Sequence, residues 1–137
     1  MSETTLVLNQ RITASIKSKA LILLLTANER KRLRGRRKTT CGQELLLQLP
    51  REGPLMDGEL LSGDPAYPQV LIQAAIESLL LITAKTNLEL IQASYHLGNC
   101  HIDLEIHPKE LLLLDDPVLA EMLTKRGLKV EKSERAF

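Results

Sequence analysis

The hydrophobic pattern of this chain changes period once, near residue 76, and that change limits the fold more than any other feature of the sequence. Up to Ala75, short apolar runs are punctuated by turn residues about every eight to twelve positions, with no convincing helical periodicity. From Ser78 onward, strand-like runs alternate with stretches whose apolar residues recur at spacings of three and four. The expected fold is α+β. A small all-β N-terminal domain over residues 1–76 is followed by a domain over 77–137 with the order β-α-β-β-α-β, the ferredoxin-like arrangement.

In the first domain Thr4–Asn9 and Ala20–Thr26 read as strands separated by the polar stretch Gln10–Lys19. A short turn at Ala27–Glu29 then leads into the densest charge run, Arg30-Lys31-Arg32-Leu33-Arg34-Gly35-Arg36-Arg37-Lys38. Every even position of that run is basic. On one strand, Arg30, Arg32, Arg34, Arg36 and Lys38 would share a face, whereas a helix would scatter them and carry Gly35 at a cost. Glu44–Leu49, Glu59–Leu61 and Gln69–Ala75 complete the unit, bounded by Gly42, Pro50, Gly53-Pro54, Asp57-Gly58 and Gly63-Asp64-Pro65.

In the second domain Ser78–Thr83 is a strand, and a helix capped by Asn87 runs to about Leu97 and ends at Gly98-Asn99. Ile102, Leu104 and Ile106 alternate with Asp103, Glu105 and His107, which predicts a half-buried strand. Glu110–Leu114 is a further strand. Asp115-Asp116-Pro117 opens a second helix that Gly127 ends, and Leu128–Lys132 is the last strand.

Composition narrows the function. Eighteen Lys+Arg face 17 Asp+Glu, a net charge of +1 that argues against a surface built wholly for nucleic acid. The longest uncharged apolar stretch, Ala20–Ala27, is far short of the roughly 20 residues of a membrane helix. Met1–Arg11 carries no secretory pattern, and Cys41 and Cys100 have no near-neighbour cysteines, so a reducing, cytoplasmic setting is expected. No glycine-rich phosphate loop, nucleophile elbow or His-Glu-x-x-His pattern points to an enzyme. Asp115 and Asp116 read as helix caps, and Glu77, His107 and Cys41 have no visible catalytic partner.

Two features remain. His96-Leu97-Gly98-Asn99-Cys100-His101 places two imidazoles and a thiol around a helix-ending turn, donors suited to nickel, copper or zinc, although a lone histidine there is more often structural. If Cys100 and His101 open the following strand they point to opposite sides, so one chain offers one good ligand and a two-fold dimer is needed to supply two. The basic face is the other feature. It suits protein docking or phosphate contacts, but Tyr67, Tyr95 and Phe137 are the only aromatic residues and leave little to stack bases.

Tyr95-His96-Leu97-Gly98-Asn99-Cys100-His101 resembles the Tyr-His-Leu-Gly-Asn-Arg-His signature of UreE, the family of urease accessory metallochaperones. Further stretches similar to that family are Leu25-Thr26 with Glu29-Arg30, the basic run, Gly42, Leu49-Pro50-Arg51 and Leu55-x-Asp57-Gly58-Glu59. Ala74-Ala75-x-Glu77 and Asp116-x-Val118-Leu119-x-x-Met122-Leu123 follow. The resemblance implies a partner- or peptide-binding first domain joined to a ferredoxin-like domain that binds metal and dimerises. It implies His101 as the nickel ligand at the dimer interface, Cys100 as a candidate extra donor where relatives have Arg, and a structural role for His96. Asp115 and Pro117 stand where several relatives have histidines, so no accessory site is expected there, and the lack of a His-rich tail after Phe137 implies transfer rather than storage.

The implied function is delivery of Ni(II) to urease during assembly of its active centre, with Zn(II) and Cu(II) as the alternative ions. The expected partners are the urease apoprotein complex, its GTPase accessory protein and a second copy of the chain, with pairing of dimers around one ion left open. Arg30, Arg32, Arg34, Arg36 and Lys38 would be the docking surface. The alternatives are a small RNA- or ribosome-associated module using residues 30–38, and an adaptor that keeps the fold without the metal.

Overall fold

The computed structural model describes residues 4–13 and 19–137. Residues 1–3, within the N-terminal segment read for a signal, and residues 14–18, within the polar stretch Gln10–Lys19, lie outside the described residues. The chain divides into two compact units, Met1–Ala75 and Ile76–Phe137.

The first unit contains β1 (Leu6–Ile12), β2 (Leu21–Leu25), α1 (Ala27–Arg30), β3 (Arg34–Lys38), β4 (Glu44–Gln48), β5 (Leu60–Gly63) and β6 (Val70–Ala74). They form one mixed sheet in the order β2-β6-β5-β1-β4-β3. β1 pairs parallel with β4, and β2 parallel with β6. The Thr40 amide donates to the Ile22 carbonyl at 2.9 Å, drawing the end of β3 toward β2 so that the sheet is nearly closed. Alternation buries one face of each strand. In β4, Leu45 and Leu47 are fully buried while Glu44 and Gln48 are exposed, and Leu8, Leu23, Leu25, Leu49, Leu55, Leu61, Val70 and Ile72 join them in one core. Gly63 closes β5 where β1 bulges, and a Cβ there would run into the Val7 carbonyl.

Arg11 fastens the loop between β4 and β5. Its Nε and Nη2 donate to the two carboxylate oxygens of Glu59 at 2.8 and 2.7 Å, and Nη1 and Nη2 donate to the carbonyls of Gly53 and Pro54. This fork-to-carboxylate geometry is the strong form of an ion pair.

The basic run is not one long strand. Thr26 and Glu29 form a capping box: Thr26 Oγ1 accepts from the Glu29 amide and Glu29 Oε1 accepts from the Thr26 amide. The expected turn at Ala27–Glu29 is therefore the single-turn helix α1, and it takes Arg30 with it. Arg30 is only 9% exposed and its Nη1 donates to the Leu25 carbonyl at 2.9 Å. The shared strand face consists of Arg34, Arg36 and Lys38, with Arg32 in the connection before it.

The second unit contains β7 (Ile76–Thr83), α2 (Asn87–Asn99), β8 (Glu105–His107), β9 (Glu110–Leu114), α3 (Pro117–Lys125) and β10 (Lys129–Ala136). Its antiparallel sheet has the order β10-β7-β9-β8. Leu80, Ile82, Leu111 and Leu113 from the sheet pack with Leu90, Ala93, Leu97 and Leu123 from the helices.

Three expectations are corrected here. Thr86 rather than Asn87 caps α2, its Oγ1 accepting from the Glu89 amide at 3.2 Å. That helix runs through Gly98 and Asn99 instead of ending at them. Only Glu105–His107 of the predicted strand 102–107 pairs, and Ile106 is 67% exposed instead of turned inward. The apolar residues of α2 divide between two faces: Leu90, Ala93 and Leu97 are buried, whereas Leu88, Ile91 and Tyr95 are 62, 63 and 72% exposed.

Candidate metal centre

The chain reverses direction at the end of α2, and the reversal fixes where His101 stands. The His101 amide donates to the Gly98 carbonyl at 3.0 Å and the Ile102 amide to the Leu97 carbonyl at 3.0 Å. This is the Schellman pattern, in which the second residue past the last helical one adopts the left-handed conformation that glycine accepts without steric cost. α3 ends the same way: the Gly127 amide donates to Thr124 and the Leu128 amide to Leu123, with Gly127 at φ 86°. At the end of α2 the equivalent position is His101, at φ 58°, the only non-glycine residue with positive φ among the described residues. A Cβ in that conformation costs about 1 kcal/mol or more. Strain of this kind persists where the surrounding structure over-determines the backbone, and it clusters at functional sites.

Ile102 packs on the core beneath the turn, and His101 is exposed above it. Cys100, the C-cap, is also exposed and free, and His96 is half-buried in the last helical turn. Cys100 and His101 therefore belong to a helix-ending turn and not to a strand, so the strand geometry expected to separate them does not hold. Among the described residues no three His, Cys, Asp or Glu side chains gather to hold an ion. One protomer supplies an exposed imidazole with a thiol next to it in sequence, an incomplete donor set by itself.

Gly98 lies one turn before His101, exposed, with nothing within 4 Å of where a Cβ would stand. A glycine inside a helix costs roughly 0.5–1 kcal/mol relative to alanine. No neighbour among the described residues requires that space.

The other candidates fall elsewhere. Asp116 caps α3, accepting from the Val118 and Leu119 amides, while Asp115 accepts from Ser78 Oγ at 3.2 Å. His107 Nε2 lies 2.8 Å from Glu105 Oε2 in an exposed pair. Cys41 has a partner that the sequence did not reveal: Thr39 Oγ1 at 3.2 Å, whose hydrogen bond holds this exposed thiol below its usual range, helped by the Gln43 backbone.

On the first unit, Arg34, Arg36 and Lys38 point outward from β3. Before them opens a cleft of about 480 Å³ lined by Lys31, Arg32, Leu33, Arg34, Arg51, Gly53 and Pro54. Arg51 enters this surface from the loop that Arg11 fastens, a long-range placement with no signal in the local sequence. Arg37 turns back on its own strand, its Nη1 donating to the Arg36 carbonyl at 2.7 Å and Nη2 to the Arg32 carbonyl at 3.2 Å.

The models of the two UreE urease accessory protein domains match this chain in order, the N-terminal one over residues 7–68 and the C-terminal one over 77–137. A protein named urease accessory protein UreE from Parasynechococcus marenigrum (strain WH8102) is 49% identical over 137 residues, covering 100% of this chain and 91% of its own length. Proteins of the same name from Synechococcus sp. (strain CC9311) and Synechococcus sp. (strain WH7805) are 52% identical over 115 residues and 56% over 117. Those alignments cover 84 and 85% of this chain and 74 and 67% of the relatives. The chain belongs to the UreE family of urease accessory proteins, chaperones of urease assembly rather than enzymes.

Proposed function

We propose that this protein carries Ni(II) to urease as a homodimer, with one His101 from each protomer on the ion. The observation that carries the reading is the conformation of His101, an exposed imidazole held at a left-handed position that glycine would fill with less strain. Two imidazoles related by a two-fold axis make a partial coordination sphere. Cys100 is a candidate extra donor, and water or a partner's side chains fill the remaining positions. Such an open sphere suits an ion in transit, since an incoming ligand can enter before the old ones leave. Zn(II) and Cu(II) compete for the same donors.

The surface around His101 supports close approach of a second copy. Gly98 leaves room for a backbone there, and Tyr95 and Ile91 continue an exposed apolar stripe away from it. The βαββαβ order with sheet order β10-β7-β9-β8 supports a ferredoxin-like metal-binding and dimerisation domain over 77–137. The first unit would dock the urease apoprotein complex or its GTPase accessory protein through Arg32, Arg34, Arg36 and Lys38. No helix of the described residues is long and apolar enough to cross a membrane, consistent with work in the cytoplasm beside urease. Membership of an accessory family weighs against the RNA-binding alternative.

Delivery is tested directly by adding nickel-loaded protein to urease apoprotein with its accessory proteins and a chelator that removes free nickel. Urease activity should appear with the natural protein and fail with His101→Ala. Equal activation by both would refute the role of His101.

A further inference from the structure

We propose that the basic surface of the first unit binds an extended acidic segment of a partner protein, one with carboxylates at alternate positions, through ion pairs across the face of β3. The inference deepens the docking role proposed above and rests on it for its purpose.

Arg34, Arg36 and Lys38 are exposed at two-residue intervals along one strand face, so their Cα atoms recur about every 6.6–7 Å. An extended peptide presents every second side chain at the same interval, which lets three or four carboxylates meet the row in register. The row continues into the cleft between Arg32 and Arg51, whose apolar wall is Leu33 and Pro54. None of Arg32, Arg34, Arg36, Lys38 or Arg51 makes an ion pair with a described carboxylate. Glu44 stands opposite Lys38 in the register and lines the surface beside Arg36 without forming an ion pair there, so the positive charge concentrates toward Arg32, Arg34, Arg36 and Arg51, in a chain whose net charge is only +1.

The strand edge argues for side-chain recognition rather than for addition of a strand. The Leu49 amide donates to Leu33 and the Thr39 amide to Gln43, so Leu33, Gly35, Arg37 and Thr39 bond inward to β4 and the backbone of Arg34, Arg36 and Lys38 faces the free edge. Arg37 caps that edge, since its guanidinium already occupies the Arg36 carbonyl. Gly35 makes the cap fit: at φ 128° its missing Cβ would stand 3.0 Å from Arg37 Nη1. A peptide pairing with the edge would have to displace Arg37, whereas one lying across the exposed face leaves it in place. Recognition of RNA is less suited to this surface, because no aromatic ring lines the cleft for bases to stack on.

The test is fluorescence anisotropy of the full chain at low salt with two labelled peptides of one composition, Glu-Ser-Glu-Ser-Glu-Ser-Glu and Glu-Glu-Glu-Glu-Ser-Ser-Ser. The alternating peptide should bind several-fold more tightly. Arg34→Glu with Arg36→Glu should weaken it at least about tenfold, as like charges replace complementary ones. Arg37→Ala should leave it within about twofold, because the cap is not a contact. Equal binding of the two peptides, no binding of either, or binding only of an oligoribonucleotide or tripolyphosphate would overturn the proposal, and clearly tighter binding by Arg37→Ala, which uncovers the Arg36 carbonyl, would return the edge as the site. His101→Ala should leave peptide binding unchanged, so failure here is separable from failure of the nickel reading.

Discussion

Replacing His101 by glycine should make the second unit more stable while it destroys metal binding. The two helices of this unit end in the same hydrogen-bond pattern, one with Gly127 at φ 86° and the other with His101 at φ 58°. A side chain in the left-handed region costs about 1–2 kcal/mol, and glycine returns roughly 0.5–1 kcal/mol of that through the greater freedom of the unfolded chain. The net gain for His101→Gly is therefore about 0.5–1 kcal/mol. His101→Ala keeps the backbone strain and loses the imidazole, so it serves as the reference. For a unit of about sixty residues, 1 kcal/mol moves Tm by roughly 4–8 °C. The assay is thermal and urea unfolding of metal-free protein at one fixed concentration, since association makes Tm depend on concentration. Both variants should lose nickel, and only His101→Gly should melt higher than His101→Ala by several degrees. Equal melting of the two variants, or a glycine variant that still binds nickel, would refute the argument that this position holds a strained functional side chain.

Two further outcomes follow from the same geometry. Gly98→Ala should stabilise the isolated protomer by about 0.5–1 kcal/mol, as a helix interior favours alanine, yet weaken dimerisation and nickel binding, read by sedimentation and metal titration; unchanged association would show that no second backbone approaches there. Glu59 is held below its ordinary range by its hydrogen bonds to Arg11, chiefly, with the Met56 amide and the Arg11 charge adding to the effect. Because the folded value lies below the unfolded one, this stabilisation is full above the ordinary value of 4.5 and is lost as pH falls through the depressed folded value. Unfolding free energies from urea titrations, measured from pH 6 downward, should converge for the natural chain and Glu59→Gln, with a gap of about 1–3 kcal/mol at the upper end. A gap that does not change with pH would refute the assignment.

The features that could be read from the sequence are those in which local signals agree. Asp116 and Pro117 open α3 and Gly127 ends it, and every strand of the sheet in the second unit overlaps a strand expected from the sequence. The mistakes share one cause, a local rule met by a residue that was doing something else. Gly98-Asn99 looked like a helix stop, but the left-handed position lies two residues further on, at His101, where a rule that looks for glycine cannot see it. The alternation from Arg30 to Lys38 suggested one strand, while the competing capping box Thr26–Glu29 was already in the sequence and takes Arg30 inward. Ile106 fits the alternation of a half-buried strand, yet only three residues of that strand pair. His101 was legible as one of three candidate donors in the His96–His101 cluster, and the resemblance of the surrounding signature is what singled it out from them. Arg51 could not be found locally, because the loop that brings it beside Arg32 is held by Arg11 from β1.

The measurement that bears most directly on the central claim is native mass spectrometry of the nickel-loaded protein and of His101→Ala, with the oligomer and the number of bound ions read from the same peaks. The account expects one nickel shared by two chains, or by a pair of dimers, and no nickel on the variant. One nickel on each isolated chain, or a variant that keeps its ion, would contradict it.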